Sequence, residues 1–157
     1  MDNISLFFWI GAEPLIYVIL LLVLILGFKG NTFDKKAFLL TIIALPIAVL
    51  LIKMIHLFYF EPRPFVTFNF TPLVSEPANA SFPSRHATIA ATIAFAYFYF
   101  KSKWSLLLLP TALWVGISRV YVGVHYPLDI LGGFLVGAIS LIIALQIKNF
   151  LKKGLLI

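Results

Sequence analysis

The chain contains no cysteine, and only 11% of its 157 residues are charged. The absence of cysteine excludes a disulfide scaffold and a cysteine-ligated metal site. Soluble domains average about 25% charged residues, so the low charge content argues against a soluble domain. Intrinsic disorder is excluded because 62% of the residues are hydrophobic, whereas disordered segments are poor in apolar residues. The composition therefore predicts a membrane protein.

Acidic residues are the scarcer charged type. There are 6 Asp and Glu against 12 Lys and Arg, which gives a formal net charge of +6. In a soluble protein this excess would suggest a nucleic-acid partner. Here the basic residues lie between long apolar runs, so no nucleic-acid partner is expected. The length fits a single domain over residues 1–157.

Five apolar segments are candidates for membrane-spanning helices. A helix needs about 20 mostly apolar residues to cross the hydrocarbon core of a bilayer. The candidates are residues 15–28, 37–60, 84–100, 104–124 and 126–147. The run 4–10 is too short to cross, so we expect an interfacial helix packed beside the first span; a single bent helix over 4–28 is the alternative. The predicted fold class is an all-α integral membrane bundle of six helices, five of them transmembrane.

The positions of Lys and Arg predict the orientation of this bundle, because the side that retains basic residues is normally cytoplasmic. With five spans, eight of the twelve fall on one side: Lys29, Lys35, Lys36, Lys101, Lys103, Lys148, Lys152 and Lys153. The other four are Lys53, Arg63, Arg85 and Arg119, at or near the opposite, extracytoplasmic face. Since the orientation rule does not explain these four, they are candidates for function.

The same face collects other polar residues, which suggests a binding site there. An alternating topology brings together the end of the second span, the start of the third, the end of the fourth and the start of the fifth. The polar residues at these ends are Arg63, Ser84, Arg85, His86, Ser118, Arg119, His125 and Asp129. Several cations without matching carboxylates favour a polyanion, and the planar guanidinium suits phosphate oxygens. Ser84 is placed to cap the third span, leaving backbone N–H groups for a bound anion.

His125 and Asp129 are four residues apart, and Pro127 between them suits the first turn of a helix. This spacing stacks Asp129 one turn beyond His125. The carboxylate would then accept a proton from one ring nitrogen, fixing the tautomer and leaving the other nitrogen as a nucleophile. His86, on a different helix, is the candidate acid.

These residues resemble the three signature motifs of the type 2 phosphatidic acid phosphatase (PAP2) superfamily. The matching residues are Arg63-Pro64, then Pro83-Ser84-Arg85-His86, then Ser118-Arg119 followed by His125 and Asp129. The segment 121–133 looks like bacterial members that act on undecaprenyl diphosphate or related envelope lipids, including lipid A 1-phosphatases. The resemblance thus implies a phosphorylated lipid as substrate and a place in the bacterial cytoplasmic membrane, with the site facing the periplasm or exterior.

The resemblance also implies a role for each site residue. His125 would be the nucleophile that forms a phosphohistidine, Asp129 its orienting partner, and His86 the acid that protonates the leaving oxygen. Arg63, Ser84 and Arg119 would bind the phosphoryl oxygens, and neither a metal nor a cofactor is implied.

Two positions depart from the family pattern. Where the family has a Lys six residues ahead of the Arg-Pro pair, this chain has His56; Lys53 lies about one helical turn earlier. Either Lys53 reaches the phosphate or His56 substitutes for the missing Lys, and a purely structural His56 is a third reading. Arg85 replaces the usual Gly. It would contact a second phosphate or a head group, or simply anchor its helix at the membrane surface.

The sequence therefore predicts a lipid phosphatase that removes a terminal phosphate from undecaprenyl diphosphate, lipid A 1-phosphate or phosphatidylglycerol phosphate. Two alternatives stay open: a lipid phosphotransferase using the same residues, and a transporter or binding protein for anionic lipids. Transport sites tend to lie near the bilayer midplane, whereas these residues lie at one face, which argues against the transporter. The sequence does not fix the oligomeric state.

Overall fold

A computed structural model describes residues 2–154 of the chain, and the side chains of residues 2–151. Over these residues it is built from α-helices and loops, without a β-strand. The helices are α1 (Asn3–Ala12), α2 (Pro14–Lys29), α3 (Thr32–Phe58), α4 (Pro64–Thr67), α5 (Arg85–Tyr99), α6 (Ser105–Tyr121) and α7 (Pro127–Gly154). The predicted all-helical class is confirmed.

Within residues 2–154 the structure has seven helices, one more than the six predicted. The additional helix, α4, occupies four residues of the long loop that follows α3. It begins at Pro64, whose ring fixes the backbone near helical geometry and whose missing N–H is not needed in a first turn. A helix this short has no apolar periodicity, so the sequence pattern did not reveal it.

Helices α3 and α7 are long and apolar enough to cross a membrane, and the bent pair α1 and α2 would add a third span. Helices α5 and α6 contain 15 and 17 residues, so each would need flanking residues to complete a crossing. Large apolar side chains face outward, including Leu57, Leu106 and Phe150, each more than 75% exposed. Such surfaces are typical of a lipid-facing bundle. The count of five spans stays a prediction.

The first two helices meet at Glu13 with a bend of 47°. The segment expected to lie beside the first span packs mainly on α6 instead. Phe7 stacks on Trp114 with ring centroids 4.6 Å apart, and Phe8 stacks on Tyr121 at 4.1 Å. These aromatic contacts explain the placement, and they bring Glu13 to the end of the bundle where α6 finishes.

Helix α5 lies at the centre, against α3, α6 and α7. The small residues of α7 allow it to approach α5 closely. A Cβ added to Gly133 would lie 2.9 Å from the carbonyl oxygen of Ser84, and one added to Gly137 would lie 3.1 Å from the backbone nitrogen of Thr92. Close contact between α5 and α7 sets the start of α5 beside the first turn of α7, where the Ser84 N–H donates to the Asp129 carbonyl at 3.1 Å.

Candidate active site

Five of the residues singled out from the sequence are buried together at one end of the bundle. Arg63, Ser84, Arg119, His125 and Asp129 are each at most 3% exposed. They come from the loop before α4, the start of α5, the end of α6, the loop before α7 and the first turn of α7. Contacts through hydrogen bonds and ion pairs link them into one cluster.

His125 and Asp129 form a hydrogen-bonded pair. The Nδ1 atom of His125 lies 3.0 Å from Oδ2 of Asp129, with the four-residue spacing of adjacent helical turns. The same carboxylate oxygen accepts the Tyr126 N–H at 2.9 Å and the hydroxyl of Ser81. A carboxylate facing Nδ1 stabilises the tautomer with hydrogen on Nδ1. The Nε2 atom then carries the lone pair of the ring.

That Nε2 atom faces the guanidinium of Arg63, at 3.2 Å from its Nη1. Arg63 is held by two further partners: Nη1 donates to the Val124 carbonyl at 3.0 Å, and Nε and Nη2 donate to Oδ1 of Asn79 at 3.1 and 2.9 Å. Burial, partly offset by the hydrogen bond to Asp129, lowers the pKa of His125 below its ordinary value. The ring is therefore neutral near pH 7, as a nucleophile must be.

Arg119 is the second buried guanidinium, and it is held by carboxylates that the sequence did not reveal. Its Nη1 donates to Oε1 of Glu13 at 2.8 Å and to the Ala12 carbonyl at 3.2 Å. Its Nη2 pairs with Oε1 of Glu76. The expectation of cations without matching carboxylates was therefore wrong. Glu13 lies at a helix break and Glu76 in a long loop, so no periodic pattern placed either one beside the arginines.

Glu76 touches both guanidinium groups. Its Oε2 lies 3.5 Å from Nη2 of Arg63, while Oε1 contacts Arg119, and its side chain is only 7% exposed. Burial alone would raise the pKa of Glu76, but the charge and hydrogen bond of Arg119, together with the charge of Arg63, lower it below its ordinary value. Glu76 is therefore ionised at neutral pH.

Ser84 and His86 lie at the start of α5. Ser84 caps the helix, as its position predicted, with its hydroxyl oxygen accepting the Ala87 N–H at 3.5 Å. His86 is half-buried in the first turn of α5, two residues after Ser84. The start of α5 therefore brings His86 to the end of the bundle that holds the buried cluster.

Lys53, His56 and Arg85 lie beside the cluster instead of inside it. They line a cavity of about 270 Å³ between α3 and α5, together with Asn79 and apolar side chains. Asn79 connects the two sites because it also binds Arg63. Within residues 2–151, Nε2 of His56 is buried without a hydrogen-bond partner. The structure therefore separates a cluster around Arg63 and Arg119 from an adjoining basic cavity.

Asn79 and Ser81 join Glu13 and Glu76 as contributors that the sequence did not reveal. Asn79 and Ser81 lie in the loop between α4 and α5, which contains three of the nine prolines. The length of this loop was the one feature of the sequence that pointed to these residues, since long loops in compact proteins are often functional.

In the described part of the chain, no group of three or more His, Asp or Glu side chains is arranged to hold a metal ion.

The profile of the PAP2 superfamily matches residues 35–153, which include all five residues of the buried cluster. The chain belongs to the PAP2 superfamily. The resemblance inferred from the motifs is thereby confirmed.

Individual PAP2 proteins are similar over most of the chain. The undecaprenyl-diphosphatase BcrC of Bacillus subtilis is 34% identical over 152 residues, which are 97% of this chain and 77% of that protein. Among solved structures, LpxE from Aquifex aeolicus has a TM-score of 0.68 at 29% identity, covering 89% of this chain and 81% of LpxE. A transmembrane PAP2-type phosphatidylglycerolphosphate phosphatase from Bacillus subtilis has a TM-score of 0.58 at 31% identity. The match covers 94% of this chain and 74% of that protein.

Two of these relatives, both from Bacillus subtilis, are named as phosphatases of phosphorylated lipids, and one of the two is named as a transmembrane protein. The predicted class, a membrane lipid phosphatase that hydrolyses phosphoric ester or diphosphate bonds, is confirmed.

Proposed function

We propose that this PAP2 protein removes the terminal phosphate of an envelope lipid through a phosphohistidine on His125, without a metal ion. The observation that carries the proposal is the environment of His125. One ring nitrogen is held by Asp129 at 3.0 Å, and the other faces Arg63 at 3.2 Å, next to Arg119. A neutral imidazole aimed at clustered guanidinium groups is suited to attack a phosphoryl group bound by them.

The reaction would proceed in two in-line steps. In the first, Nε2 of His125 attacks phosphorus, the bond from phosphorus to the lipid oxygen breaks, and His86 donates a proton to that oxygen. In the second, His86 accepts a proton from water, which attacks the phosphohistidine and releases inorganic phosphate and free His125. Charge on the equatorial oxygens is stabilised by Arg63, Arg119 and the N–H groups that follow Ser84.

The proposal includes five membrane spans, formed by α2, α3, α5, α6 and α7, with the buried cluster at the extracytoplasmic face of the bacterial cytoplasmic membrane. The distribution of Lys and Arg supports this orientation. A lipid would keep its tails in the bilayer while its phosphorylated head enters the cluster from the side.

Undecaprenyl diphosphate is the substrate we favour, with lipid A 1-phosphate and phosphatidylglycerol phosphate as the other candidates. A diphosphate head needs a second group of cations beside the reacting phosphoryl. The cavity lined by Lys53, His56 and Arg85 adjoins the arginine cluster through Asn79, and apolar side chains on the same wall, Val49, Ile52 and Ile89, would meet the start of a prenyl chain.

Arg85→Gly should therefore lower the preference for diphosphate lipids. We expect the ratio of kcat/KM for undecaprenyl diphosphate to that for undecaprenyl phosphate or phosphatidic acid to fall about tenfold, because a hydrogen bond to a charged group contributes about 1.5–3 kcal/mol. The measurement is steady-state phosphate release by the purified protein. Lys103→Gly, at the other end of the bundle, is the control. An unchanged ratio in Arg85→Gly would remove Arg85 from substrate recognition.

The function itself is tested by phosphate release from four lipids, each with and without EDTA: undecaprenyl diphosphate, lipid A 1-phosphate, phosphatidylglycerol phosphate and phosphatidic acid. We expect release that EDTA does not diminish. Transfer of phosphate to another acceptor, without free phosphate, would indicate a phosphotransferase. Binding of these lipids without any reaction would indicate a transporter or binding protein.

A further inference from the structure

Glu76 occupies a place that is unusual for a structural counterion. Each of its carboxylate oxygens faces a different guanidinium: Oε2 lies 3.5 Å from Arg63, and Oε1 contacts Arg119. All three side chains are nearly buried, with exposures of 2%, 7% and 0% for Arg63, Glu76 and Arg119. A carboxylate that bridges two buried guanidinium groups presents its two oxygens as a phosphoryl group presents two of its oxygens.

The two arginines do not depend on Glu76 for their positions. Arg63 is held by Asn79 and by the Val124 carbonyl. Arg119 is held by Glu13 and by the Ala12 carbonyl. Both guanidinium groups would therefore stay in place if the Glu76 carboxylate turned away, and each would expose the nitrogen that Glu76 now covers.

The loop that carries Glu76 is fixed on either side of it. The Leu73 N–H donates to the Val122 carbonyl at 3.0 Å, and the Ser81 N–H donates to the Glu61 carbonyl at 2.8 Å. The neighbouring Val74 is buried against Val122 and Val124. A rotation of the Glu76 side chain would thus free the guanidinium groups without moving the ends of the loop.

We propose that Glu76 is an internal competitor for the phosphoryl site, displaced from Arg63 and Arg119 when the substrate phosphate binds. This inference rests on the proposed function. A terminal phosphate monoester or diphosphate carries up to two charges on its outer phosphoryl group and competes well with a single carboxylate. A phosphodiester head group, as in the bulk lipids of a membrane, carries one charge and competes poorly. Glu76 would therefore select terminal phosphates against the surrounding lipid, and its return would help to expel inorganic phosphate.

The test measures binding of inorganic phosphate to the purified full-length protein by calorimetry, and inhibition of phosphate release by the phosphodiester lipid phosphatidylglycerol. Glu76→Gln should bind inorganic phosphate about tenfold more tightly or better, since it removes a charge-assisted contact from each guanidinium. It should also become sensitive to phosphatidylglycerol at concentrations that leave the unmodified protein active.

Glu13→Gln is the matched control, because Glu13 also pairs with Arg119 but does not bridge to Arg63. The two variants change the net charge equally, so an equal gain in phosphate affinity would overturn the proposal in favour of a general charge effect. Unchanged or weaker phosphate binding in Glu76→Gln would overturn it as well, and would make Glu76 a positioning residue. If Glu76→Gln does not fold, Glu76→Asp provides the test: its shorter side chain cannot bridge both groups, so its phosphate affinity should also rise.

Failure of the inference is distinguishable from failure of the proposed function. If the unmodified protein releases no phosphate from any lipid, the phosphatase proposal fails. If it does release phosphate while Glu76→Gln and Glu76→Asp bind inorganic phosphate no more tightly, only the role of Glu76 fails.

Discussion

His125→Ala should reduce the rate of phosphate release on the order of 10⁴-fold or more, as removal of a catalytic nucleophile does in other covalent mechanisms. No other imidazole can take its place with the same geometry. His125 is the one whose Nδ1 is held by Asp129 and whose Nε2 faces Arg63. Steady-state assays with undecaprenyl diphosphate measure the effect.

The control for this variant is His56→Ala, which removes an imidazole from the adjoining cavity. For His56→Ala we expect a change in KM, with kcat largely retained. Phosphate release by purified His125→Ala protein at a rate near that of the unmodified enzyme would show that His125 is not the nucleophile. Size-exclusion chromatography in detergent establishes that the variants are folded.

His86→Ala should have an effect that depends on the leaving group. A phosphomonoester lipid departs as a basic alkoxide, which needs a proton from the acid, so its release should fall by about 10²–10⁴-fold. A diphosphate lipid departs as the lipid monophosphate, which is a much better leaving group. The first step with this lipid should therefore persist, whereas the second step should slow because His86 is no longer there to accept a proton from water.

Rapid-quench kinetics separate the two steps. With undecaprenyl diphosphate, His86→Ala should release a burst of undecaprenyl phosphate equal to the enzyme concentration, followed by slow turnover. With phosphatidic acid no burst should occur. An equal loss in the first step for both lipids would assign His86 to phosphate binding instead of proton transfer.

The parts of this site that the sequence predicted are those set by local geometry or by topology. The pairing of His125 with Asp129 follows from helical spacing after Pro127, and the capping position of Ser84 follows from its place before an apolar run. Because successive spans cross the membrane in opposite directions, the predicted topology alone placed Arg63 and Arg119 at the same end of the bundle.

The missed parts depend on contacts between segments that are distant in the sequence. Glu13 reaches Arg119 only because α1 packs on α6, and Glu76 reaches both arginines only through the path of a loop without periodicity. Lys53 and Arg85 share their charge and face with the arginine cluster, yet they line a neighbouring cavity. Charge and topology predict which residues share a face, but side-chain packing decides which of them touch.

The most direct test of the central claim is to trap the phosphoryl group on the enzyme. Undecaprenyl diphosphate labelled with ³²P in its terminal phosphate is mixed with His86→Ala protein, the reaction is quenched in base, and the peptides are mapped by mass spectrometry. We expect an acid-labile, base-stable phosphoryl group on His125, and none in a variant that combines His86→Ala with His125→Ala. A labelled phosphoryl group on another residue, or a burst of undecaprenyl phosphate without any labelled protein, would contradict the phosphohistidine mechanism.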